Sequence, residues 1–222
     1  MRDKRFSRIC ALSLSAALVG WSFVSPRLPS AWRVVLQACV GALLVLATRA
    51  PLGLCPPRLC AGLRLGAPAG VAAATAVAAT TPLPPVRLSM AVRELPASVL
   101  GWVLLRIPVG TVWAEEATFR AALAAVGSRA FGKAGGRLLQ AAVFGLSHIA
   151  DARATGEPVV ATVLVTGIGG WLFGWLADRS GSLAAPMLVH LAINEAGAVA
   201  ALIVQGGLVD GAGSTRQRGY NQ

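Results

Sequence analysis

The sequence predicts an all-α protein, a polytopic bundle of about seven transmembrane helices, with six to eight as the range. Apolar residues (AVILMFWYC) make up 55% of the 222 residues, with 25 glycines in addition, whereas a soluble domain has roughly 45–50% with glycine included. Only 13% of the residues are charged, and the mean hydropathy is +0.66. Charge-free apolar segments also recur along the chain. Together these observations indicate a membrane protein.

The first three predicted spans lie in the N-terminal half. They are Ile9–Pro26, Val34–Thr48 and Leu65 to about Thr81. The leading MRDKRFSR resembles a signal-peptide n-region, but SFVSPRLPS offers no convincing A-x-A cleavage site, so an uncleaved first helix is favoured. Prolines in RAPLGLCPPRLC separate the second and third spans. The segment TPLPPVRLSMAVREL predicts a break followed by a short interfacial helix.

Four further spans are predicted after residue 95. The fourth starts near Pro96 and carries WAEEATFR at its far end, and the glycine-rich basic segment GSRAFGKAGGR predicts a loop after it. The others are Leu138–Ala150, Pro158–Ala177 and Leu183–Gln205. Small residues in GIGGWLFGW, at 167, 169 and 170, predict close helix packing. The chain thus divides into N-terminal membrane helices (1–95), a helix bundle with the candidate site (96–208) and a polar, disordered tail (209–222).

Charge and cysteine usage narrow the class of protein. The net charge of +11 comes from basic residues scattered between apolar segments, an arrangement that serves topology and lipid headgroups rather than nucleic acid. The basic N-terminus predicts a cytoplasmic location for that end. The composition, rich in Ala, Arg and Gly, is typical of a bacterial plasma-membrane protein. The four cysteines form no CxxC motif, so they are interpreted as small apolar residues.

Two adjacent glutamates in the fourth span are the first candidate for chemistry. Ionisable groups inside a membrane are costly and are functional hypotheses by default. On a helix, Glu116 and Arg120 stand at i and i+4 with the acid first, the favoured order for an ion pair, while Glu115 is rotated by about 100° from Glu116. Glu115 is therefore the freer carboxylate and the candidate general base. The alternative is a structural ion-pair network with Arg120 and Arg106.

Both histidines of the chain lie in apolar segments, in AAVFGLSHIA and PMLVHLAINEAG. Asp151, three residues after His148, is expected to be able to hydrogen-bond that ring and fix its tautomer. His190 and Asn194 share a helix face and could donate jointly to one oxygen, as an oxyanion hole requires. The alternatives are a satisfied core histidine at 148 and an interhelical hydrogen-bonding pair at 190 and 194.

The order of these motifs resembles the CPBP family of membrane proteases, the CAAX protease and bacteriocin-processing group, also called Abi. The motifs are EEATFR (Glu115, Glu116, Arg120), FGLSH (Phe144, His148) and HLAIN (His190, Asn194). The resemblance covers residues 115–194; the earlier helices match only in character. It implies a polytopic membrane endopeptidase.

The resemblance also implies roles for the site residues. Glu115 and His148 would activate a water, and His190 and Asn194 would hold the oxyanion. The supporting residues would be Glu116, Arg120 and Phe144. Family members are often labelled metalloproteases, so the cofactor is left open between none and a divalent metal such as zinc, with Glu115, His148 and His190 as possible ligands.

The function predicted is therefore that of an integral-membrane endopeptidase that cleaves a protein or peptide, prenylated or not, at the lipid bilayer. One alternative is a non-catalytic membrane protein of the same fold, such as a bacteriocin-immunity factor or a scaffold. The other is a proton-coupled transporter, which would need a substrate path and usually inverted repeats, and the sequence displays neither.

Overall fold

The computed structural model describes residues 2–219, and within them the side chains of residues 4–29 and 32–206. This part of the chain is helical and contains no strand, which confirms the predicted fold class. Two π-helical segments, π1 (Trp102–Trp113) and π2 (Glu116–Leu123), lie between α5 and α6, and a 3₁₀ turn (Ser25–Arg27) follows α1. The α-helices are α1 (Arg2–Val24), α2 (Ser30–Thr48), α3 (Arg58–Thr80), α4 (Pro84–Ala91), α5 (Val99–Gly101), α6 (Ala124–Ser147), α7 (Ile149–Thr155), α8 (Val159–Ser180) and α9 (Ala184–Gly219).

Four helical segments of the described chain are long and apolar enough to cross a membrane. They are Lys4–Arg27, Arg58–Thr80, Val159–Ser180 and Ala184–Gly206. Large apolar side chains such as Leu46 and Val160 are exposed on the helix surfaces, where lipid tails rather than water would cover them. These features indicate an integral membrane protein.

Each of the seven predicted spans overlaps a helical segment, but the fourth is not a regular α-helix. Its residues form α5, π1 and π2 in succession. Pro108 lies inside π1 and has no backbone N–H, so regular α-helical bonding cannot continue through it. Wider turns of this kind are frequent at functional sites. The predicted interfacial helix is present as α4, Pro84–Ala91.

The predicted loop at residues 127–137 is present as a tight reversal of the chain, because a Cβ added to Gly127 would lie 3.0 Å from Cα of Gly136 on the other side of the turn. These residues belong to α6, which is interrupted only at Gly132, with φ 77° and ψ 168°. Side chains other than that of glycine rarely adopt a positive φ, so Gly132 is the residue at which the two helical parts of α6 meet and the chain turns back. At the other end of the chain, α9 runs to Gly219, through most of the segment for which the sequence predicts disorder. Residues 220–222 lie outside the described residues, and the division of the chain at 95 and 208 remains a prediction.

Small residues bring α6 and α8 into close contact. A Cβ atom added to Gly170 would lie 2.9 Å from Cδ1 of Phe144, and one added to Gly167 would lie 3.6 Å from the Ala141 carbonyl oxygen. An added Cβ on Gly169 would meet nothing within 4 Å. The predicted close packing is therefore confirmed at positions 167 and 170 and is wrong at 169.

Hydrogen bonds anchor the start of α9 to the segment that joins α2 and α3. The Ser182 hydroxyl donates to the Gly53 carbonyl over 2.8 Å, and the Leu183 N–H donates to the Leu52 carbonyl over 2.8 Å. Helix α9 then packs along α3 and against π1. Because these bonds fix the start of α9 relative to the segment that joins α2 and α3, they also fix the position of His190 along the helix in the protein interior.

Candidate active site

The two glutamates lie where the fourth span changes its backbone geometry. Glu115 directly precedes π2, and Glu116 is its first residue. The side chain of Glu116 has no exposed surface, whereas that of Glu115 is 29% exposed. The adjacent carboxylates therefore occupy different environments: Glu116 is sealed in the protein, and Glu115 is partly exposed, although its Oε2 is buried and has no hydrogen-bond partner among the described residues.

Glu116 is the partner of Arg120, as the helix spacing predicts. Nη1 of Arg120 lies 3.4 Å from Oε1 of Glu116, and both side chains are fully buried. Arg106, the other arginine considered for this network, is exposed on π1. The predicted i,i+4 ion pair is thus confirmed, and it neutralises the buried glutamate.

His190 of α9 lies between the two glutamates. Its Nδ1 is 2.8 Å from Oε1 of Glu116, a hydrogen bond in which the imidazole donates to the carboxylate. Its Nε2 is 3.8 Å from Oε2 of Glu115, too far for a direct hydrogen bond. Since a donor at Nδ1 leaves Nε2 of a neutral ring as an acceptor, His190 presents a lone pair toward the accessible carboxylate.

Aromatic rings enclose the buried cation and the imidazole. The Phe144 ring centroid lies 3.8 Å from Cζ of Arg120 and 4.6 Å from the centroid of His148. The Phe173 ring stacks on His190 at 5.1 Å and 29°, and its centroid is 4.9 Å from Cζ of Arg120. Phenyl faces attract a guanidinium through the negative charge of the ring face.

Phe173 is a site residue that the sequence analysis does not single out. It lies in WLFGW of α8, and a phenylalanine in an apolar span carries no signal that separates lipid contact from site contact. Its small neighbours at 170 and 174 are the one available hint, because they mark the face of α8 that is turned toward α6.

His148 ends α6, and its ring is fixed by the backbone. Its Nδ1 lies 2.7 Å from the Phe144 carbonyl oxygen, so Nδ1 donates and Nε2 of the neutral ring accepts. Asp151, which the sequence analysis offers as the partner of this ring, is exposed. The carbonyl one turn earlier therefore takes the role that was expected of Asp151. His148 connects to the remaining site through the Phe144 ring.

Asn194 is oriented by its own helix. Its Nδ2 donates to the His190 carbonyl oxygen over 3.0 Å, a bond between residues at i and i+4. One N–H of the amide is used in this bond, and the second remains for another acceptor. His190 and Asn194 share a helix face, as predicted. However, the N–H of the His190 ring donates to Glu116, and one N–H of Asn194 donates to the His190 carbonyl.

The candidate metal ligands are Glu115, His148 and His190. Each imidazole donates through Nδ1 to an oxygen, an arrangement that metal-binding histidines use to present Nε2. Among the residues whose side chains are described, however, no group of three His, Cys, Asp or Glu is placed so that it could hold a metal ion. The residues as they are placed do not fit a metal with three protein ligands.

The fold and the site define an integral membrane helix bundle with a carboxylate–guanidinium–imidazole cluster buried in its interior. The sequence model of the family described as type II CAAX prenyl endopeptidase Rce1-like matches residues 97–196. That segment contains all three motifs, and the match confirms the resemblance to the CAAX protease (CPBP) family. No curated protein and no solved structure shows a significant match to the chain.

Proposed function

We propose that the protein is an integral-membrane endopeptidase that hydrolyses a peptide bond of a protein or peptide substrate. The observation that carries the proposal is the arrangement around His190. A fully buried carboxylate fixes one ring nitrogen, and a partly exposed carboxylate, Glu115, lies 3.8 Å from the other. Oε2, the oxygen at that distance, is itself buried, so in the proposal the water is held on the exposed part of the Glu115 carboxylate, next to Nε2 of His190. The family match of residues 97–196 supports the same reaction class.

Glu115 is the general base in this proposal. A water held between its carboxylate and Nε2 of His190 loses a proton to Glu115 as its oxygen attacks the carbonyl carbon of the peptide. The proton then passes from Glu115 to the nitrogen of the leaving amine, and the C–N bond breaks. The products are a carboxylic acid and an amine, and Glu115 returns to its starting state.

The remaining site residues take supporting parts. Glu116 holds His190 in the tautomer that presents Nε2 to the water, and Arg120 balances the charge of Glu116. Asn194 offers its second N–H to the tetrahedral oxyanion, whereas the one N–H of neutral His190 is already bound to Glu116, so His190 takes the oxyanion role of the family pattern only when Nε2 is protonated. His148, with Nδ1 bound to a carbonyl, is the second group able to accept a proton, in support of Glu115.

An open apolar cavity between α3, π1 and α9 is lined by residues close in sequence to the site residues, although none of the site residues lines it. Its volume is about 220 Å³, and Val112 and Leu191 are among its lining residues. Val112 precedes Glu115 by one turn, and Leu191 is adjacent to His190. The cavity suits a large apolar side chain or a hydrocarbon chain, and the family description includes prenyl substrates. We therefore propose a substrate with apolar groups next to the scissile bond.

The test is cleavage of matched peptides, with and without a C-terminal farnesyl group, by purified protein in detergent. Glu115→Gln and His148→Gln should each lower kcat, with a loss on the order of 10²–10⁴ for removal of a general base. Glu94→Gln, at an exposed position, is the matched control and should leave turnover unchanged. Wild-type turnover in both site variants would overturn the mechanism. Survival of a cellular function in Glu115→Gln but not in helix-packing variants would instead support the non-catalytic alternative.

A further inference from the structure

A small polar cavity lies between π2, α6 and α8, away from the glutamate that we propose as the base. Its volume is about 30 Å³. At one end Lys133, whose side chain is 71% exposed, pairs with Asp178 over 3.6 Å. At the other end is the fully buried side chain of Arg120. The polar residues that line the cavity are Arg120, Ser128, Lys133, Arg137, Gln140 and Asp178.

Several buried polar atoms of the residues that line this cavity lack hydrogen-bond partners. Among the described residues, Nε, Nη1 and Nη2 of Arg120 have no hydrogen-bond acceptor, although Nη1 lies in ion-pair range of Glu116. Oε1 of Gln140 and Nε of Arg137 are also buried and unpartnered. The Gln140 side chain is held in place because its Nε2 donates to the Gly170 carbonyl over 2.9 Å. Native structures pair nearly all such groups, with protein or with ordered water.

The chemistry of the lining matches water. The guanidinium of Arg120 needs acceptors, and Oε1 of Gln140 needs a donor, so a water molecule between them satisfies both. A water needs a cavity of roughly 10–15 Å³, and the observed volume of about 30 Å³ holds about two. A larger anion is disfavoured because Glu116 already balances Arg120 and Asp178 already pairs with Arg137 over 3.2 Å.

We propose that this cavity is a hydration site in which about two ordered water molecules enter from the Lys133–Asp178 end and complete the hydrogen bonds of Arg120. The bound water fixes the guanidinium, the guanidinium holds Glu116, and Glu116 holds His190. Through these contacts the hydration site helps to position His190, without itself touching the substrate. The inference goes beyond the proposed function, because hydration of Arg120 follows from the cavity and its unpartnered groups whether or not the chain cleaves peptides.

Gly174 of α8 allows the cavity to be filled by a single atom. A Cβ added there would lie 2.7 Å from Nε2 of Gln140 and 3.0 Å from Cγ of Arg137. Gly169 of the same helix is the matched control, since an added Cβ there meets nothing within 4 Å. Gly174→Ala and Gly169→Ala therefore make the same chemical change inside and outside the cavity.

The experiment measures magnetisation transfer from water to arginine side-chain N–H groups in ¹⁵N-arginine-labelled full-length protein in detergent. The Arg120 resonances are identified by contacts to the Phe144 ring, whose centroid lies 3.8 Å from Cζ. Water contact at Arg120 should appear in the wild type and in Gly169→Ala and fall several-fold in Gly174→Ala. The proposal is overturned by a dry Arg120 in the wild type, or by equal transfer in both variants. Peptide cleavage, measured in parallel, tests only the proposed function, so water contact without cleavage would refute that function alone.

Discussion

The buried ion pair predicts the effect of changing Glu116 to glutamine. Glutamine has the size of glutamate and keeps an oxygen that accepts the hydrogen bond from Nδ1 of His190, now 2.8 Å long. It removes the negative charge opposite Arg120, whose side chain has no exposed surface. The change thus isolates the loss of one charge inside the protein from the loss of shape or hydrogen bonding.

The expected magnitude follows from the surroundings of the arginine. Removal of one member of a buried ion pair destabilises a protein by about 3–5 kcal/mol, because the other charge is left uncompensated. The faces of Phe144 and Phe173 remain in contact with the guanidinium, and cation–π contacts of desolvated groups are worth about 2 kcal/mol. We therefore expect Glu116→Gln to lower the free energy of unfolding by about 3 kcal/mol, the lower end of the range.

The assay is reversible unfolding in mixed detergent micelles, with a second variant that separates charge from structure. Glu116→Gln combined with Arg120→Met replaces both charges, and such replacements are often neutral or stabilising, so most of the lost stability should return. Lys133→Gln, at an exposed pair, is the control and should change stability by no more than about 1 kcal/mol. The reasoning fails if Glu116→Gln is as mild as Lys133→Gln, or if the double variant is less stable than the single one.

Two further predictions concern α8 and use the same unfolding assay. Gly170→Ala places a Cβ 2.9 Å from Cδ1 of Phe144 and should destabilise the protein by about 1–3 kcal/mol through overpacking. Gly169→Ala should be neutral or stabilising by up to about 1 kcal/mol. Equal effects of the two changes would contradict the assigned packing faces. Phe173→Leu removes the ring stacked on His190 at 5.1 Å. It should lower the free energy of unfolding by about 1 kcal/mol and should also lower kcat. An unchanged kcat would show that the stacking does not position His190.

What the sequence predicts well is what the local periodicity of a helix determines. Residues at i and i+4 on a helix are neighbours, so the contact of Glu116 with Arg120 and the shared face of His190 and Asn194 follow from spacing alone. Long apolar segments likewise locate the helices. The run of glycine and basic residues at 127–137 also predicts the reversal of the chain, but not that helical geometry continues up to Gly132 on both sides of it.

Contacts between distant segments could not be predicted in this way. The stacking of Phe173 on His190 joins α8 to α9, and the position of His190 between two glutamates joins α9 to the fourth span. Both depend on how far each helix is inserted and rotated, which is set by packing of small residues and by the anchored start of α9. No residue type or spacing within a single segment carries that information.

The need for two adjacent glutamates follows from the geometry of one imidazole. The nitrogens of His190 point in different directions, and a carboxylate that binds Nδ1 cannot also approach Nε2. In the proposed mechanism the carboxylate at Nδ1 has to be buried, so that it fixes the tautomer and balances Arg120, while the carboxylate at Nε2 has to be reached by water and substrate. Neighbouring side chains on a helix point in different directions, so Glu116 meets the first requirement and the partly exposed Glu115 the second, on either side of the same ring. A single glutamate could satisfy only one of them.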